Sequence, residues 1–143
     1  MSGAGTTTAA EAPSTGWPDD TCTASVPAHP DFVASLRGLV RSAAVLADLT
    51  LPEVEELQIA TSEAAALLLP LTAGSGTMGV RVRVAPGRLR ASVSVSRAVA
   101  GTIDRTSLGW MMLSTLCPDV EVDDDGDAPT VSFTHASPAR GAS

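Results

Sequence analysis

The sequence predicts an α+β fold, a two-layer sandwich in which a mostly antiparallel sheet carries helices on one face. Three observations predict it. Thr77–Val84 and Arg88–Ser96 alternate apolar and polar residues on either side of Ala85-Pro86-Gly87, the pattern of a hairpin with one dry face. Upstream, residues 31–47 and 51–71 repeat apolar side chains at three- and four-residue steps, the period of a helix. Downstream, an apolar run over 107–117 precedes two more short β-rich stretches. The order is therefore strand, helix, helix, strand, strand, helix, strand, strand, which closes as a sheet with helices packed on it.

Taken in order, residues 1–20 (MSGAGTTTAAEAPSTGWPDD) are small, polar and broken by Pro and Gly. They bury too little to offset ordering entropy and read as a disordered leader to a domain over 21–136. Trp17 either packs on that domain or is loosely held. Thr21–Ala28 has enough β-formers for a short strand, stopped by Pro27 and Pro30. Asp31 then opens a helix to about Ala47, its acidic side chain suited to the positive end of the dipole. Phe32, Leu36, Leu39, Val40 and Ala43 form its expected buried stripe, and Arg37 and Arg41, one turn apart, share a flank.

The second helix begins at Thr50, an N-cap residue followed by Pro52 and by Glu53, Glu55 and Glu56 in the favourable first turns. Leu57, Ala60, Ala64, Leu67 or Leu68, and Leu71 make its inner face; Pro70 and the run TAGSG stop it. In the hairpin Val80, Val82 and Val84 face in, as do Leu89, Ala91, Val93 and Val95. Arg81, Arg83, Arg88 and Arg90 face out. A wet sheet face requires polar residues, so these arginines read as a solvated surface, with a basic patch as the alternative.

Arg97–Thr106 reads as a loop, Ser107–Cys117 as a short buried helix, and Asp119–Val122 and Thr130–His135 as the last strands. The turn DDDGDAP between those strands lacks the alternating ligand spacing and terminal Glu of a calcium loop and reads as solvated. SPARGAS, from Ser137, reads as a disordered tail over 137–143.

Composition excludes several classes. The net charge of −7 argues against direct nucleic-acid binding, which needs clustered basic residues to neutralise phosphates. All nine basic residues are Arg. Two cysteines, Cys22 and Cys117, supply neither a disulfide framework nor metal spacing, and read as ordinary thiols of a reducing cytoplasm. No basic stretch followed by an apolar run marks a signal peptide, and no window is apolar enough to cross a membrane. The expected location is cytoplasmic.

The element order, a Ser62-Glu63-Ala64 triplet midway along the second helix, and Ser107-Leu108-Gly109-Trp110 at the third resemble the GHKL, or histidine-kinase-like ATPase, fold. Within it the chain is similar to the bacterial anti-sigma factor/serine kinase family of the RsbW and SpoIIAB type. The resemblance rests on VPAHPDFVASLRGLV, LPEVEELQIATSEAAALLL and TSLGWMMLSTLCPDVEV, and spans about Ser25 to His135. It implies a homodimer that sequesters an alternative RNA polymerase sigma factor and is released by an anti-anti-sigma protein with a STAS domain. It also implies that Arg37, with Arg41 beside it, meets those partners, the guanidinium fork being suited to carboxylates. Exposed apolar residues of the first helix and strand would form the dimer seam.

Residue by residue, the family's nucleotide motifs are thinned. In the active kinases the triplet is followed by an Asn that helps hold Mg²⁺; here that position is Leu67, which offers no oxygen to a cation requiring oxygen ligands. Glu63 is then either a remnant general base or a half-buried carboxylate hydrogen-bonded by Ser62 or backbone donors. The motif that supplies an adenine-binding Asp falls at Ser96–Ala100, which has no acid; Asp104 is the nearest carboxylate. The Gly-x-Gly that packs a helix N-terminus on phosphates is Ser107-Leu108-Gly109, half kept. The Gly-Thr of the final strand is Pro129-Thr130. If ATP binds, Ser107, Gly109 and Thr130 are the residues that would hold it. No cofactor and no metal are expected, and the primary reading is an anti-sigma factor. The alternative is an active ATP-dependent serine kinase using Mg-ATP through Glu63.

Overall fold

The computed structural model describes residues 21–138. The leader over 1–20, Trp17 included, and tail residues 139–143 lie outside the described residues.

Strand β1 (Thr21–Pro27) is followed by a 3-10 turn at Pro30–Phe32 and helix α1 (Val33–Leu46). Helix α2 (Leu51–Leu68) ends in a 3-10 turn over Leu69–Thr72. The hairpin β2 (Thr77–Ala85) and β3 (Arg88–Val95), helix α3 (Leu108–Leu116), β4 (Glu121–Asp123) and β5 (Thr130–Ala136) complete the chain. The strands form one antiparallel sheet in the order β1-β2-β3-β5-β4. All eight elements stand in the anticipated order, and the architecture is the α+β two-layer sandwich.

The first helix starts later than its sequence suggests. Pro30 is held in a 3-10 turn capped by His29, whose Nδ1 accepts the Asp31 N–H at 3.1 Å. The shift in phase leaves Phe32 40% exposed and brings Val33 inward with Leu36, Val40, Ala43 and Ala44. The helix ends at Asp48, which takes a left-handed φ of 63°. The Leu49 N–H then returns to the Ala44 carbonyl at 3.1 Å, a Schellman-type closure.

Helix α2 begins with a full capping box. Thr50 Oγ1 accepts the Glu53 N–H, and Glu53 Oε1 accepts the Thr50 N–H at 2.8 Å, satisfying two donors that a bare helix end leaves open. The second oxygen, Glu53 Oε2, lies 2.8 Å from His135 Nε2 at the far end of β5. Burial alone raises the Glu53 carboxyl, but the Thr50 backbone N–H, His135 and the Thr50 side chain together outweigh it and hold it below its ordinary 4.5.

Met78, Val80 and Val82 of β2, all four inward residues of β3, and Val131 and Phe133 of β5 are buried beneath the helices. Helix α1 packs on β1, β2 and β3, and α2 on β3 and β5. The hairpin turn is the pair Pro86-Gly87, Gly87 having φ 78°, a conformation that glycine adopts without a Cβ penalty. Its N–H donates to the Ala47 carbonyl and its carbonyl accepts from Ser137 N–H, both at 2.8 Å. Ser137, the first residue of the expected tail, is buried by this contact.

Helix α3 differs from the buried helix its composition suggests. It packs chiefly against α2 at the end of the helical layer, so only Leu113 is buried along it. Leu108 is 72% exposed and Met111 62% exposed. No helix among the described residues is long and apolar enough to cross a membrane.

Candidate functional site

Successive residues on a helix point about 100° apart, so Ser62 and Glu63 in the middle of α2 serve different neighbours. Ser62 Oγ donates to the Gln58 carbonyl at 3.1 Å and accepts from Arg37 Nη1 at 3.2 Å, tying α2 to α1. It therefore does not serve Glu63, as one reading of the triplet held. Glu63 turns toward α3. Its Oε1 lies 2.8 Å from where a Cβ on Gly109 would stand, so the missing side chain at Gly109 makes room for the carboxylate. Ser107 caps that helix, accepting the Trp110 N–H at 3.1 Å and donating to the Asp104 carbonyl at 2.9 Å. The Glu63 carboxylate thus sits at the first turn of α3, where the helix dipole favours an anion.

These residues line a cleft of about 320 Å³ that also takes in Leu67, Thr102 and Asp104. Glu63, Ser107 and Gly109, singled out separately in the sequence, are brought together there. Thr130 is not. The alternation of β5 sends Val131 and Phe133 inward and Thr130 to the opposite face, where it lines a groove with Ser94 and Asp127. Its hydroxyl donates to the Ala128 carbonyl at 2.9 Å.

The cleft is acidic. The Thr106 hydroxyl and then its backbone N–H, at 2.6 and 2.9 Å from Asp104 Oδ1, hold the Asp104 carboxyl below its ordinary value. No basic side chain lines the cleft among the described residues. Leu67, one turn beyond Glu63, is part of the apolar core. Among the described residues no cluster of three or more His, Cys, Asp or Glu could hold a metal ion.

Two residues that hold the loop leading into α3 carry little local signal in the sequence. Arg97, beside the position where an adenine-binding acid was sought, gathers backbone carbonyls instead. Its Nε donates to Gly126 at 2.8 Å, its Nη1 to Val99 at 2.9 Å and to Gly101 at 3.0 Å, and its Nη2 to Asp124. Asp124, within the acidic turn expected to be solvated, is buried instead. It accepts the Ile103 N–H at 3.1 Å, and Arg105 Nη1 lies 3.8 Å from the same oxygen. Arg105 in turn lies over the Trp110 ring at 5.7 Å, within cation–π range. The loop between β3 and α3 is therefore pinned to the β4–β5 turn. An arginine directly after a strand, followed by the donor-free run Ala98-Val99-Ala100-Gly101, is the available signal.

Arg37 and Arg41 lie on α1, on the helical face of the molecule. Arg37 is half-buried and held in place by Ser62, whereas Arg41 is exposed. The two free thiols are unlike: Cys22 is half-buried on the edge strand and Cys117 is buried. Burial first, then the Asp119 and Glu56 carboxylates, push the Cys117 thiol up to about 12.

The sheet order, the helical layer and the cleft between α2 and α3 make an α+β two-layer sandwich. The chain is similar to the crystal structure of the RsbU and RsbW domains of Rv1364c from Mycobacterium tuberculosis, with a TM-score of 0.62 at 18% identity. The similarity covers 83% of this chain and 32% of the other, so this chain spans about a third of that protein's length. The fold is RsbW-like. No family model matches the chain, and no curated protein matches it in sequence.

Proposed function

We propose that this protein is an anti-sigma factor that works by occlusion and partner exchange rather than by phosphorylation. It sequesters an alternative RNA polymerase sigma factor through the α1 surface around Arg37 and Arg41, and a STAS-domain anti-anti-sigma protein competes for that surface. The difference between the two affinities sets which complex forms. It acts as a cytoplasmic homodimer, with the exposed Val45 and Leu46 of α1 and the edge of β1 available for the seam.

The observation that carries this reading is the lining of the cleft on an RsbW-like fold. Glu63 and Asp104 both line the cleft, and no basic side chain among the described residues lines it with them. Like charges a few ångströms apart in a partly desolvated cleft repel strongly. The turn of α3 that would receive phosphate already has the Glu63 carboxylate against Gly109. Leu67 brings methyl groups where Mg²⁺ requires oxygen. These residues do not fit Mg-ATP.

One observation favours a serine kinase as second reading: Glu63, Ser107 and Gly109 do converge on one cleft. An ATP titration at millimolar Mg²⁺, followed by thermal melting, separates the two. A site filled at a hundred times its dissociation constant adds about 2.7 kcal/mol of stability; the occlusion reading expects no shift. Co-expression with the host's sigma factors tests the rest, and recovery of none of them as a stoichiometric complex would sink the anti-sigma assignment.

A further inference from the structure

The sheet face turned away from the helices has no part in that reading. Across the hairpin Arg83 stands directly opposite Arg90, Arg81 opposite Ser92, and Arg88 opposite Ala85. A wet sheet face needs polar residues, and elsewhere on it Ser92, Ser94, Ser132 and Thr134 supply that need as hydroxyls. Arginine is not required there, and like charges directly opposed on a ladder act against folding. Nor do these arginines guard a sheet edge, since they lie on β2 and β3 while the edges are β1 and β4. Arg90 is answered by Glu121 at 2.7 Å and by Thr134 at 3.0 Å. Among the described residues Arg81 and Arg83 make no ion pair. A chain of net charge −7 has thus collected positive charge on one face at a cost to its own stability.

The side chains there form a recess. A hollow of about 120 Å³ lies between Arg81, Arg83, Arg90 and Ser92. Through Arg81 and Ser92 it adjoins a groove of about 570 Å³ lined by hydroxyls, among them Thr23, Ser25, Ser94 and Thr130. Asp127 lines that groove as well, so the recess runs from a cationic end to a neutral and then faintly acidic one. No aromatic side chain lines either part, so nothing is offered for bases to stack on.

We propose that this face docks an acidic peptide segment of a partner protein. Its carboxylates enter the Arg81–Arg83–Arg90 hollow and its uncharged polar residues lie along the hydroxyl row. Guanidinium forks match carboxylates in geometry as well as charge, and a segment of mixed acid and Ser/Thr character satisfies both parts of the recess. The face lies across the sheet from Arg37, so the proposal does not rest on the sigma-factor reading and can fail without it.

The test is a fluorescence-anisotropy titration of the full chain with a short labelled peptide of alternating glutamate and serine. The controls are the same peptide with glutamine for glutamate, and inorganic phosphate as competitor. The glutamate peptide should bind, weaken as salt rises, and lose at least about tenfold in affinity to the Arg81→Gln/Arg83→Gln double variant. Arg37→Gln should bind it as the parent does. Equal binding of the glutamine peptide, an equal loss in Arg37→Gln, or an affinity unmoved by the double variant would overturn the proposal. Full displacement by phosphate at comparable concentration would mark a small-anion site instead. Sedimentation of the chain alone adds a further check: a dimer that the double variant dissociates would make the occupant a second copy. A partner-free readout is the melting of Arg83→Thr, which should equal or exceed the parent's. A clear fall would assign these arginines to the fold and overturn the docking role.

Discussion

Glu53 does two jobs with two oxygens, and its substitution separates them from ordinary capping. Oε1 closes the capping box on Thr50 while Oε2 holds His135 on β5. Glu53→Gln should cost about 1–3 kcal/mol at neutral pH, measured by urea unfolding, and more than Thr50→Ala, which removes one half of the box for about 1 kcal/mol. The sign of its pH dependence follows from the depressed carboxyl. Its contribution is present above the ordinary value of 4.5 and is lost as pH falls through the lower folded value, so the variant should show a shallower acid limb. The cysteines give a second residue-level outcome. Thiolate is the reactive form, and Cys117 is buried with its thiol pushed up to about 12. Cys22→Ser should therefore leave a folded chain that a thiol reagent titrates only after denaturant is added. If the chain sequesters a sigma factor as proposed, Arg37→Ala should weaken that binding, read by surface plasmon resonance, while the melting temperature stays within a few degrees. One long-range hydrogen bond to half-buried Ser62 is worth only about 1 kcal/mol. At this scale the sequence shows Thr50 as the N-cap and Glu53 in the first turn, three residues apart, and the structure joins the two as a capping box. The sequence could not show His135 as the third member, because a contact spanning 82 positions leaves no local pattern.

Elements whose signal is periodic were legible, and those fixed by a distant guanidinium were not. The alternation of β2 and β3 stated which side of each strand is dry, and all four inward residues of β3 are buried. Helix α3 misled because its apolar residues exceed what a helix at the end of a layer can bury. Periodicity reports that a helix forms but not how many neighbours it has. The third nucleotide residue, Thr130, was likewise placed by motif, whereas strand alternation sends it to the other face. The loop between β3 and α3 looked featureless because its order comes from Arg97 and Asp124, which reach across to each other's segments. Arg97→Ala leaves several carbonyls without their charged donor. It should destabilise the chain by about 2–3 kcal/mol and speed amide exchange in residues 98–106 ahead of β2 and β3. Exchange accelerated equally throughout would mean that the loop is no separate unit and that Arg97 acts only on global stability.

At the scale of the described fold, two carboxylates, Glu63 and Asp104, line the α2–α3 cleft, Arg81, Arg83 and Arg90 line a hollow on the open side of the sheet, and an apolar layer lies between. Under the proposed occlusion reading, that lining predicts that restoring a single ligand does not create an ATP site. Leu67→Asn returns the oxygen that the resemblance finds missing, but Leu67 is only 8% exposed and belongs to the main apolar cluster. Removing its methyl groups and placing an amide there should cost about 2–5 kcal/mol, seen as a lower urea midpoint with an unchanged slope. The variant should still show no thermal shift with Mg-ATP. Glu63 and Asp104 would continue to repel phosphate, and Arg97 would still occupy the segment where an adenine-binding carboxylate was sought. A stabilisation by nucleotide in Leu67→Asn that the parent lacks would locate the whole defect in one side chain, and the acidic lining would then be incidental. Stabilisation absent from both, in a variant shown by circular dichroism to be folded, would assign the loss to the cleft as a whole.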